Sequence, residues 1–376
     1  MKGKERIIVH PYDSHFTPVL RNTNFLNEYD IVGVSSLTGW GFSGKDAGLA
    51  DGGNLTGIIV EKKFDVLIEL CDTVLFLESD LKCSFELNIY PQIMQAINAG
   101  KNIICTLDLK EKYKEIYDAC MSKSVNFNYL RKSDASEPEY LNKPGKISDI
   151  STPIIAVISV TEGANKFAIQ LSLRDNIQKM GYKVSQVGTR NYCELLDFHS
   201  FPEFMSSGTI PEYKKVLLFN EYIKNIEVQE EPDVIIVGIP GAIMPFNNDI
   251  HNGFGILAYE VFQAINPDAS ILSLLYEDYK AEYFDILTKK IRYQFGFDVD
   301  GINITNKKVD WMEMMNNKTS TIRTLSINTD FVNKKVKEFN NKSDIPVFNI
   351  LDDSDSKSMA QVIINKLEGN ANIKII

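Results

Sequence analysis

Residues Ile154 to Leu171 read IIAVISVTEGANKFAIQL. An apolar run, a short polar turn and apolar positions at helical spacing follow one another, which predicts a buried strand, a loop and a helix. That is the setting of a phosphate-binding loop, whose pattern is G-x-x-x-x-G-K-[ST]. With Lys166 taken as the lysine of the pattern, Val160 replaces the first glycine, Asn165 the second, and Phe167 the hydroxyl residue that holds magnesium. The setting of the loop is kept and its metal chemistry is not. Gly163 and Asn165 tolerate left-handed backbone. Lys166 falls in the first helical turn, where unpaired N–H groups and the helix dipole favour an anion. Thr161, Gly163, Asn165 and Lys166 are therefore candidate cofactor-binding residues, for a nucleotide or an acyl-coenzyme A, with hydrolysis of magnesium ATP disfavoured. The alternative is a plain turn kept from P-loop ancestry.

By letters, GWGFSGKD at Gly39–Asp46 matches the pattern better, having both glycines and Lys45. The run AGLADGGN follows it, and so many glycines cannot make a sound helix. Asp46 also stands where a hydroxyl should be and would repel a phosphate. The stretch is expected to be a flexible loop, with Lys45 a candidate for contact with substrate.

Working outward, Arg6–His10, Asp30–Leu37, Asp72–Glu78 and Asn102–Leu107 read as strands, with helices over Pro18–Asn27 and Phe85–Ala99. The alternation predicts a Rossmann-like N-terminal domain with a mainly parallel sheet over residues 1–130. Residues 131–152 are polar, with two prolines and a glycine, and read as a linker. Residues 153–376 form a second α/β series, a degenerate P-loop-NTPase-like domain. Its strands fall at 154–160, 182–188, 233–239, 270–275, 320–326 and 345–350. Residues 320–376 either complete that domain or stand as a small βαβα appendage.

Other loops carry further candidates. HPYDSH, at the end of the first strand, offers His10, Asp13 and His15 to a substrate or metal, since open α/β sheets place ligands there. GIPGAIMPFNNDIHNGFG at Gly238–Gly255 is longer than a simple connection needs. It offers Gly241 to a cofactor and Asp249 with His251 as a catalytic acid–base pair, or as a solvated helix cap. VGTR brings Thr189 and Arg190 toward the P-loop, where Arg190 can hold a carboxylate or phosphate. TNKKVD at Thr305–Asp310 is one residue too long for a base-recognition motif and reads as a surface turn. Cys193 has no reliable histidine partner and is not read as a nucleophile.

The chain has 376 residues, 44% of them hydrophobic, room for two or three domains. A net charge of −10 gives no basic surface for nucleic acid or anionic lipid. The five cysteines form no C-x-x-C pair, so neither a disulfide framework nor a zinc site is expected, and no metal is assigned. With no signal-peptide core and no run of 18 apolar residues, the expectation is a soluble protein of a reducing cytoplasm.

Three segments together, Pro153–Thr189, Pro232–Tyr279 and Asp300–Asp310, resemble the peptide maturation system proteins encoded beside clostridial ribosomally made peptide natural products (RiPPs). The resemblance covers essentially the whole chain. It implies maturation of a cysteine-rich or bacteriocin-like precursor peptide, commonly with a radical-SAM maturase as partner, and it carries no residue assignments. A more distant likeness is to P-loop-type proteins that include D-glutamate N-acetyltransferases. These also join a Rossmann-like domain to a P-loop-like one, but keep the hydroxyl that this chain lacks at Phe167. Two functions follow. One is a transferase or ligase that modifies the precursor peptide at the degenerate P-loop. The other is a non-catalytic scaffold that presents the peptide to a partner enzyme.

Overall fold

The computed structural model describes residues 3–79, 81, 83–130, 145–317 and 322–371. Most of the linker expected at 131–152 lies outside the described residues. The chain divides into two compact units, one of Met1–Ser133 with Asn191–Asp197, the other of Asp134–Arg190 with Phe198–Ile376.

The first unit is built on six strands: β1 (Glu5–His10), β2 (Tyr29–Ser35), β3 (Val60–Glu61), β4 (Thr73–Phe76), β5 (Asn102–Cys105) and β6 (Phe127–Tyr129). Their order is β3-β2-β1-β4-β5-β6, parallel throughout. That is the order of a dinucleotide-binding Rossmann sheet, in which the chain changes direction between β1 and β4. All four residues of β4 are buried, as a strand covered on both faces requires. The helix expected over Phe85–Ala99 opens with a wide π turn at Phe85–Ile89 before the α-helix Tyr90–Asn98. Residues 191–197 add Cys193 and Leu196 to this unit as fully buried side chains.

The second unit carries a seven-stranded parallel sheet: β7 (Ile154–Ser159), β8 (Val184–Gly188), β9 (His199–Ser200), β10 (Val234–Gly238), β11 (Ala269–Leu274), β12 (Gly301–Ile304) and β15 (Val347–Phe348). The order is β15-β12-β11-β7-β10-β8-β9, so the strand that feeds the loop at Val160 is central. A short antiparallel pair, β13 (Lys307–Val309) and β14 (Thr324–Ser326), stands apart from it.

β7 explains the layering. Ile154, Ala156 and Ile158 face a core shared with Leu218, Phe219, Val261 and Phe284. Ile155 and Val157 face the opposite core, with Ile169, Leu173, Met359 and Ile363. Alternate side chains of one strand point to opposite faces, so an unbroken apolar run is what helices on both sides demand. Each buried isoleucine or valine of the strand contributes about 1.5–3 kcal/mol of burial.

Several elements depart from the sequence reading. No element was expected between Arg190 and Pro232, yet the 19-residue helix Glu212–Glu230 lies there, with Leu218, Phe219, Ile223 and Ile226 buried. The closing region is tied into the sheet. β15 pairs with β12, and the helix Asp353–Ala371 packs along the helix Lys166–Lys179 through the second core. Thr305–Asp310 is no surface turn. Thr305, Asn306 and Lys307 are each at most 4% exposed, and β13 begins within the stretch. Among the described residues, no helix is long and apolar enough to cross a membrane.

Candidate functional site

The loop between β7 and the helix Lys166–Lys179 is shaped by where its carbonyl groups go. Ser159 Oγ donates to Thr161 O at 2.6 Å, and Ser273 Oγ donates to Ala164 O at 2.6 Å. Asn252 Nδ2 donates to Val160 O at 3.3 Å, and Ile243 N to Ser159 O at 2.9 Å. Ser273 is itself held by Asn303 Nδ2 at 3.0 Å, and Asn303 Oδ1 accepts from Ile350 N at 2.9 Å. A polar chain thus crosses the buried sheet from the loop to β11, β12 and the residues after β15. With the carbonyls turned inward, Gly163 (φ 72°) and Asn165 (φ 53°) adopt left-handed backbone. The backbone N–H groups of Gly163, Ala164, Asn165 and Lys166 then find no acceptor among the described residues. Successive N–H groups left together at a helix start form an anion-binding concavity.

Lys166, the last residue of this row, is 8% exposed. Its ammonium donates to Ser159 Oγ at 2.7 Å and to the carbonyl of Gly241, which is in left-handed backbone on the loop after β10. Two of its three protons are used among the described residues. Burial brings its pKa down from the ordinary lysine value to about 7. The nearby Glu162 carboxylate pushes it back up, and Arg190 pushes it down. Thr161 is 2% exposed and its hydroxyl has no partner, a buried polar group awaiting one. Thr189 and Arg190, at the end of β8, are partly exposed, and the charge of Arg190 is felt at Lys166. Thr161, Gly163, Asn165, Lys166 and Gly241 are therefore brought together.

The magnesium positions are filled with core. Phe167 is 3% exposed and packs against Phe198, ring centres 6.2 Å apart. β10 ends in Gly238. A Cβ at Gly238 would stand 2.3 Å from Gln170 Oε1, while Gln170 Nε2 donates to Val187 O at 2.8 Å. No side chain fits there while Gln170 holds that bond.

The other expected site residues lie elsewhere. Asp249 and His251 are both exposed and share no hydrogen bond or ion pair. His251 instead stacks on Phe254, with rings 5.0 Å apart, and accepts from Gly253 N at 3.3 Å. This is the helix-cap arrangement rather than an acid–base pair. His10 is 3% exposed between Phe64 and Phe76, with Nδ1 2.8 Å from Ser35 Oγ; burial lowers its pKa to about 4. Asp13 accepts from His15 N at 2.8 Å and from Ser79 Oγ. Since Ser79 follows β4, that bond spans the crevice between β1 and β4 where a Rossmann fold receives its ligand. Among the described residues no three His, Cys, Asp or Glu side chains converge, so His10, Asp13 and His15 do not form a metal site.

The Gly39–Asp46 loop is pinned rather than loose. Asp46 accepts from Gly48 N, Thr56 N and Gly57 N, each at 2.8 Å, and Tyr12 donates to Ala47 O at 2.7 Å. A 3-10 turn, Ala47–Ala50, follows in place of a helix, and Lys45 is exposed.

No protein-family model matches the sequence, and no curated protein sequence matches it either. Solved structures do. The chain shares its fold with a DUF1611 family protein. That protein, from Anabaena variabilis, superposes with a TM-score of 0.63 at 10% identity, covering 98% of this chain and 100% of that one. Cobyrinic acid a,c-diamide synthase from Mycobacterium smegmatis, with bound ADP and magnesium, matches 58% of this chain and 96% of its own at a TM-score of 0.36 and 11% identity. The MinD cell division protein of Aquifex aeolicus matches 60% and 99% at 0.31 and 15%. The last two scores are too low to bear on this chain's chemistry. The fold is α/β, with a Rossmann-like unit and a P-loop-NTPase-like unit, both on mainly parallel sheets.

Proposed function

We propose that the second unit binds a phosphoryl or comparable anionic group of a nucleotide or acyl donor at Gly163–Lys166, without magnesium, and uses it to modify a ribosomally made precursor peptide. The observation that carries the anion half is the row of four N–H groups without acceptors that ends in a buried lysine. A cradle of this kind is stabilising only when a negative charge fills it. The peptide half, with a radical-SAM maturase as partner, rests on the sequence resemblance across Pro153–Thr189, Pro232–Tyr279 and Asp300–Asp310.

A second reading, a scaffold that grips the peptide without reacting, is favoured by Phe167 and by Gln170 over Gly238. Both metal positions of a hydrolase are closed to it. Thermal unfolding with pyrophosphate, ATP, GTP and acetyl-coenzyme A separates the two. A ligand at 100 times its Kd adds about 2.7 kcal/mol of stability. The enzyme reading expects such a gain from at least one of them, lost in Lys166→Ala. No gain from any of the four, with tight binding of the precursor peptide, would leave the scaffold.

A further inference from the structure

An aromatic pair stands beside the anion cradle. Phe246, on the loop after β10, stacks on Trp311, with ring centres 5.9 Å apart and planes 25° apart. Phe246 also packs against the small cluster of Ala164, Leu275 and Val309. Ala164 belongs to the row of free N–H groups, so the aromatic pair packs against a cluster that includes one residue of that loop. Trp311 opens the short helix Trp311–Asn317 and keeps 40% of its surface exposed. An indole held by a neighbouring ring yet left open to solvent is a surface on which a planar group can stack.

We infer that Phe246 and Trp311 seat the aromatic base of a nucleoside phosphate whose phosphate group occupies Gly163–Lys166. The inference rests on the anion-binding reading of that loop. In a mononucleotide the base and the phosphate are one sugar apart, which suits a platform packed against a cluster that includes Ala164. Stacking on an aromatic face accepts any base, because every base has a π-face. The seat therefore specifies a base-bearing ligand without choosing among bases. Free nucleotides and coenzyme A, which carries an adenine, both meet that description.

The chain has two tryptophans, Trp40 and Trp311, so full-length protein carrying Trp40→Phe reports from Trp311 alone. Pyrophosphate, ATP and coenzyme A are titrated against its fluorescence, and their affinities are measured by calorimetry. ATP, coenzyme A or both should quench Trp311 and bind more tightly than pyrophosphate, and whichever quenches is the source of the base. Trp311→Ala should weaken that ligand at least about fivefold, the low end of a base–aromatic stack. Pyrophosphate affinity should stay unchanged, which also shows that the variant is folded, and Trp311→Phe should restore most of the loss. If pyrophosphate binds as tightly as ATP and coenzyme A, and Trp311→Ala weakens none of them, the aromatic seat is wrong and the anion loop stands. If none of the three binds, both readings fall.

Discussion

The Lys166 ammonium donates to the hydroxyl of Ser159, 2.7 Å away, and that hydroxyl in turn donates to Thr161 O at 2.6 Å. One small side chain at the end of β7 therefore fixes both the cation and the first turn of the loop. Ser159→Ala removes both bonds in a fully buried place and should cost about 1–3 kcal/mol, the penalty for leaving a buried group unpaired. Urea unfolding measures it. Loss of anion binding with little loss of stability would show that Ser159 positions the lysine without holding the loop.

Protonation of Lys166 gives a pH signature. Its pKa is about 7 in the folded protein, and an anion in the cradle favours the charged form. Below pH 7 the ammonium is already present. Above it, binding must take up a proton, so affinity should fall with rising pH, by up to about tenfold per unit. Calorimetry with pyrophosphate in two buffers of different ionisation enthalpy, at pH 6 and pH 8, checks this. Proton uptake is expected only at pH 8, and Lys166→Ala should abolish it.

The same lysine shapes stability without ligand. Its folded pKa lies below the unfolded value, so the unfolded chain binds more protons between pH 7 and about 10.4, and stability rises with pH across that window. Lys166→Met should flatten that rise in a series of denaturant titrations. An unchanged slope would mean that the amine is solvated.

His10 acts in the acid range. Burial holds its pKa near 4, below the ordinary 6.5. The unfolded chain therefore takes the proton first as pH falls through 6.5. Stability is lost down to about pH 4 and levels off below it, by about 3 kcal/mol at 1.36 kcal/mol per unit. The fall should be absent in His10→Gln, measured over pH 4–7.

Restoring the letters of a magnesium loop should not restore the metal. Phe167→Ser opens a cavity where the ring met Phe198 and should cost about 3–5 kcal/mol. Gly238→Asp would drive Gln170 from its place and should destabilise by more than about 1–3 kcal/mol, the usual cost of overpacking. The double variant is expected to bind ATP no better with magnesium than without. Calorimetry of ATP binding with and without the metal tests this.

How much of this was legible beforehand depends on how local each signal is. The strand, turn and helix around Lys166 were readable because apolar periodicity reports burial directly. The helix Glu212–Glu230 shows the same periodicity at Leu218, Phe219, Ile223 and Ile226, and a longer scan of that stretch finds it. Asp249 and His251 misled because spacing says nothing of side-chain direction, and here His251 turns onto Phe254. The polarity of Thr305–Lys307 suggested surface, but those side chains are spent on buried hydrogen bonds such as Asn306 Nδ2 to Ile327 O at 3.1 Å. Ser273 and Asn303 were missed as supports of the loop because only the sheet order brings them to it.

The polar chain from Ala164 through Ser273 and Asn303 to Ile350 also bears on the order of assembly. Ile350 leaves the ribosome long after the loop it helps to hold. The helix after the loop can dock on its strand early, yet the last link of this chain forms only when the edge of the sheet closes behind it. Until then the loop lacks the far end of the polar chain that holds it.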